Sequence, residues 1–290
     1  MSHRASLIDT IIANTAFRRN VYDMIPQGAE RILDFGCGEG GLALRLVRDK
    51  GCTDVHALEI DLKDATSLEG LVERVWRADY EKGEALPEEF TGYFRYVILH
   101  DVVEHLFDPW VTLSKVRELV ADDGRMIVST PNIHYWMFQY EIMRGRFHYG
   151  PGAWHTGHLR WYTPASLVEL LTIAGLHIEK LYLDIPDKVS FLNKARGSAV
   201  NLVSFPPEEL AQLYPDKPPI TVTYPGDIKK YYPAFFAGKL IAVCSKGQPP
   251  FELTKVTYNC GYLEGMRQKL RLRHDIYSPP DMIPLIGTSH

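Results

Sequence analysis

Residues 31–40 run Arg-Ile-Leu-Asp-Phe-Gly-Cys-Gly-Glu-Gly, a short apolar strand that ends in a carboxylate and opens at once into a glycine-spaced turn. Such a turn lets a ligand press against bare backbone: Gly36, Gly38 and Gly40 can take positive φ and put no Cβ in the way. The apolar residues from Leu42 to Val47 read as a helix whose N-terminus faces the same crevice, the arrangement of a nucleotide-type site at the end of a first parallel strand. By spacing, Gly36, Gly38 and Gly41 also fit the dinucleotide pattern. Asp34 decides between the two, because a carboxylate two residues before the first glycine repels a pyrophosphate and holds a ligand carrying an ammonium or a sulfonium.

The segment Asp34-Phe-Gly-Cys-Gly-Glu-Gly40 resembles the first motif of class I S-adenosylmethionine-dependent methyltransferases, and later residues agree in order. A strand-like Val55-His-Ala-Leu-Glu-Ile60 ends at Glu59, where a carboxylate can accept both ribose hydroxyls. Ala78-Asp-Tyr80 resembles the family's adenine-contacting acid and its neighbour. Tyr96-Val-Ile-Leu-His-Asp101 is an apolar strand that delivers polar residues to the same edge, and Gly124-Arg-Met-Ile-Val-Ser-Thr-Pro131 resembles the fifth strand. The resemblance covers residues 15–185 and 236–246. It implies S-adenosylmethionine as cofactor, held by Asp34, Gly36, Cys37, Gly38, Glu59, Ile60, Asp79, Tyr80 and His100.

Composition fits a cytoplasmic enzyme. With 290 residues the chain can bury a full core as one domain with additions. Its 32 basic and 36 acidic residues leave a net charge of −4, which gives no general attraction to nucleic acid or to an anionic membrane. Four cysteines without paired spacing point to reduced thiols and against a zinc knuckle or a disulfide scaffold. The N-terminus is polar and no apolar stretch is long enough to span a membrane, so the chain is expected to be soluble and not exported.

Residues 7–24 carry apolar side chains at helical spacing and should lie as one leading helix across the cofactor edge. Strands near 31–35, 54–60, 75–79, 94–100 and 124–130 then alternate with helical stretches, the pattern of a parallel sheet covered on both faces. Thr163-Pro164 opens a further helix that Gly175 stops. Residues 176–185 and 239–245 read as the last two strands. The expected fold is α/β and Rossmann-like, a class I methyltransferase with a seven-stranded mixed sheet and helices on both faces. It is built from residues 1–185 and 236–246, with an insertion at 186–235 and an extension at 247–290. The insertion is rich in proline and aromatics, and two uses stand side by side for it: capping the acceptor pocket, or making dimer contacts. The tail either packs on the core or swaps to a partner, so a homodimer stays open.

Six of the eleven histidines (His100, His105, His134, His148, His155, His158) fall between positions 100 and 158, after strands that should end near the reacting methyl group. Asp101, Glu104 and His105 stand at i, i+3 and i+4 and would share one face of a helical turn. Two carboxylates and an imidazole there suit magnesium or manganese. The segment resembles the Glu-x-x-Glu-His element of ubiquinone-pathway O-methyltransferases and small-RNA 2′-O-methyltransferases, with Asp101 in place of the first glutamate. In the second group a further histidine completes a metal site, which makes His158 the candidate fourth ligand and His155 the alternate. The same residues also read as a metal-free brace for the helix after strand four, with His100 then acting as general base. Arg160-Trp161-Tyr162 reads either as a platform for a sugar ring or as packing.

Methyl transfer from a sulfonium is an in-line displacement in which positioning supplies much of the rate. A sugar hydroxyl is a poor nucleophile near neutral pH, and a divalent ion chelated by a vicinal diol would fix and acidify it. His100, His105, His134 and His155 are the candidates to take the proton. The reading is therefore an O-methyltransferase acting on a hydroxyl of a sugar, glycoconjugate or sugar-bearing metabolite. The alternatives are N- or carboxyl-methylation of a small molecule, RNA 2′-O-methylation, a non-catalytic cofactor-binding partner subunit, and a nicotinamide dehydrogenase.

Overall fold

The computed structural model describes residues 2–15, 19–61, 68–143, 145, 147, 149–150, 154–185, 201–202, 222–223 and 233–248. Among them, one mixed seven-stranded sheet contains β1 (Glu30–Phe35), β2 (Thr53–Glu59), β3 (Arg74–Arg77), β4 (Phe94–His100), β5 (Val120–Pro131), β6 (Leu176–Asp184) and β7 (Lys239–Lys246). The order across the sheet is β3-β2-β1-β4-β5-β7-β6. β1 pairs in parallel with both β2 and β4, whereas β7 enters antiparallel between β5 and β6. The chain thus winds outward from β1 in one direction and then the other, and the crevice left at the carboxyl ends of β1 and β4 is where open α/β sheets take their ligands.

Alternation along the central strands sets which side chain enters which layer. Leu33, Phe35, Val97, Leu99, Met126 and Val128 face a core completed by Leu113 and Val116 of α4 (Pro109–Val116) and, past α5 (Trp136–Met143) in chain order, by Leu167, Leu170 and Leu171 of α6 (Pro164–Ile173). Ile32, Ile98, Ile127 and Ile241 face the other core. That second layer holds Ile12 of α1 (Ser2–Asn14), Val21 of α2 (Arg19–Met24), and Leu42, Leu44 and Leu46 of α3 (Gly41–Lys50). A parallel sheet buried on both faces needs this near-continuous apolar run. α6 starts as its sequence suggests, with a reciprocal capping box between Thr163 and Ser166 and Pro164 in the first turn.

Three expectations are corrected. The leading helix is two, α1 and α2, so the apolar spacing of 7–24 belongs to separate pieces. β5 begins at Val120 rather than near 124, because Val120 already pairs with Phe94 before an irregular register at Phe94–Tyr96. Residues 101–105 form turns rather than a helix. Asp101 sits at φ +56°, which stops β4 sharply, and the next helix starts only where Asp108 caps α4 by accepting from the Val111 N–H.

In the region expected as an insertion, Asn201–Leu202 pair with Val222–Thr223 in a separate ribbon. The rest of 186–232, residues 249–290 and His148 lie outside the described residues, and with them the capping and tail-swap expectations. No helix among the described residues is long and apolar enough to cross a membrane.

Candidate active site

The carboxyl ends of β1 and β4 and the C-terminal end of α1 enclose a cavity of about 280 Å³. Asn14, Thr15, Asp34, Gly36, Cys37, Gly38, Glu39, Gly41, Leu42, His100 and Asp101 line it. Five of the residues expected to hold the cofactor, Asp34, Gly36, Cys37, Gly38 and His100, are therefore brought together. The turn is shaped by the backbone: Gly36, Gly38 and Gly40 take φ of +72°, +53° and +77°, and the N–H groups of Gly36 and Cys37 both donate to the Leu58 carbonyl of β2. At Gly36 a Cβ would stand 2.7 Å from Val102 Cγ2, while at Gly38 it would meet nothing within 4 Å. The first glycine is thus required by packing, and the second leaves its Cβ position open. Gly36→Ala is expected to cost about 2–4 kcal/mol in unfolding by urea, from the left-handed backbone and the overpacked valine together. An unchanged midpoint would refute this account of the turn.

Glu59 lies outside the cavity lining and braces it. Its Oε2 accepts from the Gly38 N–H at 2.8 Å and its Oε1 from the Ile60 N–H at 2.7 Å. Each oxygen keeps a second lone pair, so a ribose hydroxyl can still donate to this carboxylate. Ile60 is exposed. Asp79 is tied to Lys82 at 2.9 Å and caps the short helical turn after it, which holds its carboxyl below the usual range. Tyr80 is buried, its ring edge-on to Phe35 and its hydroxyl accepting from the Leu86 N–H. Neither Asp79 nor Tyr80 reaches the cavity wall.

Sequence reasoning missed the roof. Arg45 of α3 is buried and donates to the carbonyls of Ile12, Thr15 and Gly41 and to Thr15 Oγ1, and so clamps the end of α1 above the glycine turn. A Cβ at Gly41 would fall 2.0 Å from Thr15 Oγ1, so this close approach needs a glycine. The signal present in the sequence was an arginine among the apolar residues of α3.

At the end of β4, His100 and Asp101 form a pair, Nδ1 to Oδ2 at 3.4 Å, with His100 only 7% exposed. Asp101 also accepts from Ser129 Oγ at 3.0 Å, and Lys239 at the start of β7 pairs with its other oxygen. Burial alone would raise the Asp101 carboxyl, but His100 and Lys239 prevail and hold it far below the usual carboxylate range. Glu104 is the reverse case. It is 1% exposed, burial and the nearby Asp101 charge push it up to about 8, and the Thr130 hydroxyl donates to its carboxyl at 3.1 Å.

The magnesium or manganese set expected from Asp101, Glu104, His105 and His158 is not assembled. With no helix over 101–105, Asp101 turns to Lys239 and His100, and Glu104 is buried beneath the turn against Thr130. The donors that do converge are His105, His155 and His158, whose ligand atoms lie within 4.8 Å of one another. His134 stands apart from that group, its ring edge-on to Phe235 and its pKa lowered by burial. Of the expected sugar platform, Tyr162 is core packing, with its hydroxyl on the Val103 carbonyl at 3.3 Å, while Trp161 stays partly open beside Phe147.

The methyltransferase domain family model matches residues 3–181. A ubiquinone biosynthesis O-methyltransferase of Xylella fastidiosa is 28% identical over 159 residues, which take in 53% of this chain and 64% of that protein. The chain thus spans just under two thirds of that relative's length. An uncharacterized methyltransferase of Mycobacterium bovis is 30% identical over 157 residues, covering 51% of this chain and 77% of that one. Among solved structures, a S-adenosylmethionine-dependent methyltransferase of Mesorhizobium loti superposes with a TM-score of 0.51 at 17% identity, over 81% of this chain and 100% of that one. One from Archaeoglobus fulgidus gives 0.50 at 20% identity, over 82% and 94%. With a carboxylate and bare glycines walling the cavity where this fold binds its ligand, the chain belongs to the methyltransferase domain family and so to the S-adenosylmethionine-dependent methyltransferases.

Proposed function

We propose that this chain is a cytoplasmic S-adenosylmethionine-dependent O-methyltransferase whose acceptor is a hydroxyl of a sugar, glycoconjugate or sugar-bearing metabolite. The observation that carries the reading is the His100–Asp101 pair in the wall of the donor cavity. When bound, the donor supplies an electrophilic methyl group, and a hydroxyl acceptor, unlike a neutral amine, must lose its proton to attack it. His100 answers that need. With Nδ1 turned to the ionised Asp101, its Nε2 is the basic atom, and Lys239 and Ser129 hold the carboxylate that orients the ring. Asp34 would hold the cationic part of the donor, Glu59 its ribose, and the glycine turn its backbone-facing edge. The left-handed Asp101 is strain stored beside this site, held by the Asp101 N–H donating to Ser129.

Relatives bearing the name O-methyltransferase support transfer to oxygen. Support for a sugar comes from the Phe147 ring, which packs edge-on against both Trp154 and Trp161, with Phe147 and Tyr149 exposed. Four cysteines without paired spacing support a reducing compartment. His100→Gln is expected to lower kcat by about a hundredfold or more, with little change in donor affinity and loss of the acidic limb of the pH–rate profile. The identity of the acceptor is tested by transferring radiolabelled methyl from S-adenosylmethionine into an extract of the producing organism, fractionated into RNA, glycan or lipid, and small molecules. Label in a glycan or sugar-bearing metabolite is the expected result. Label in RNA, or in nothing, would overturn the proposal.

A further inference from the structure

We propose that His105, His155 and His158 form a three-imidazole site for one divalent transition-metal ion of the zinc class. The donor set is nitrogen throughout, so it differs in kind from the carboxylate-rich set suggested by the Asp-x-x-Glu-His element, and it selects borderline ions such as zinc, cobalt(II) and nickel(II) over magnesium or calcium.

Main-chain bonds assemble the site from segments about fifty residues apart. The Glu104 carbonyl accepts from the N–H groups of both Leu159 and Arg160, at 2.8 and 3.0 Å, and locks the turn carrying His105 against the segment that follows His158. His155-Thr-Gly-His158 is itself a turn, closed by the His158 N–H on the His155 carbonyl at 2.9 Å, which puts its two imidazoles on one side. The ring centroids of His105 and His158 lie 4.7 Å apart, and those of His155 and His158 5.5 Å apart.

Gly157 sets the tautomers. His105 Nδ1 lies 3.0 Å from the Gly157 carbonyl, so it carries the proton and donates, leaving Nε2 as the lone-pair atom; this is the support that metal-bound imidazoles use. The Gly157 N–H donates to His155 Nδ1 at 3.1 Å, so that nitrogen carries the lone pair of the second ring and exchanges this hydrogen bond for the ion when the exposed ring turns to bind it. A Cβ at this glycine would stand 3.1 Å from His105 Nδ1 and 3.2 Å from His155 Nδ1, so a side chain would crowd both. An ion about 2.0–2.1 Å from each nitrogen requires the donor atoms to close further, within reach of χ rotations of the exposed His105 and His155. Three protein ligands leave a fourth position for a water, or for the acceptor hydroxyl, and only the second of these rests on the function proposed above.

The test titrates cobalt(II) into untagged, chelator-stripped full-length protein, without donor or acceptor, so that it reads binding whatever the methyl acceptor is. Expected are the visible bands of tetrahedral cobalt rising to a plateau at one equivalent, displaced by zinc and untouched by magnesium. His155→Gln, at an exposed position, should weaken binding by about tenfold or more with an unchanged melting temperature. His158→Ala, at a buried position, is read alongside its own melting curve. No tetrahedral bands, no plateau at one equivalent, or the same affinity in His155→Gln would overturn the proposal.

Discussion

Asp34→Asn is expected to weaken binding of S-adenosylmethionine by about a hundredfold while the protein stays folded. The substitution keeps the volume of a side chain only 2% exposed at the end of β1 and removes its charge from the cavity wall. A charge-assisted hydrogen bond is worth roughly 1.5–3 kcal/mol, and the upper half of that range corresponds to about 40- to 150-fold in affinity. Titration calorimetry with S-adenosylmethionine and with its neutral-sulfur product separates two roles for the carboxylate. Equal weakening of both ligands places Asp34 against the amino group they share, and weakening of the donor alone places it against the sulfonium. An affinity within threefold of wild type for both would remove Asp34 from the binding site.

The second large effect is on stability, and it has a definite sign. Glu104 is protonated in the folded state up to about pH 8, whereas an ordinary glutamate in the unfolded chain ionises near 4.5. Its raised pKa contributes stability that is complete below the unfolded value and is lost as pH rises through the folded one. Each pH unit within that window costs about 1.4 kcal/mol, so the interval from pH 5 to pH 8 costs up to about 4 kcal/mol, or on the order of 10 °C in melting temperature for a chain of this size. Asp101 has the opposite sign and a separate window. Its depressed pKa contributes stability that disappears only as pH falls below the ordinary aspartate value of 3.8, so it does not enter the same interval. Glu104→Gln, which keeps a group able to bond Thr130, should melt higher than wild type at pH 8 and lose the slope between pH 5 and 8. A wild-type melting temperature that is flat across this range would rule out a buried, protonated Glu104.

What was legible in the sequence was whatever one strand or one turn fixes locally. Asp34 through Gly40 could be read because a strand end, a carboxylate and alternating glycines are all local, and the central strands because their apolar runs are uninterrupted. The break between α1 and α2 was not legible, since Ile11, Ile12, Phe17 and Val21 keep helical spacing across it. The helical face expected to be shared by Asp101, Glu104 and His105 is absent for a related reason. Spacing of i, i+3 and i+4 defines a shared face only on a helix, and the left-handed Asp101 forbids one there. Lys239, which helps His100 hold Asp101 ionised, lies 138 residues further along, beyond any local pattern. The histidine cluster was half legible: His155 and His158 were weighed as alternatives, and only the tie between Glu104 and Leu159 brings both to His105.

The antiparallel β7 has a consequence for how such a chain can diversify. Asp184 and Lys239 are register partners, and the Gly238 N–H donates to the Asp184 carbonyl at 2.9 Å, so the long stretch between them leaves and rejoins the sheet at one point. That point lies beside the carboxyl ends of β4 and β5: Asn132 donates to the carbonyls of Ala234 and Ala237, and Lys239 holds Asp101. With both ends pinned in this way, the number of residues between Asp184 and Lys239 can change without shifting the sheet, because the registers of β5, β6 and β7 are set by residues outside that interval.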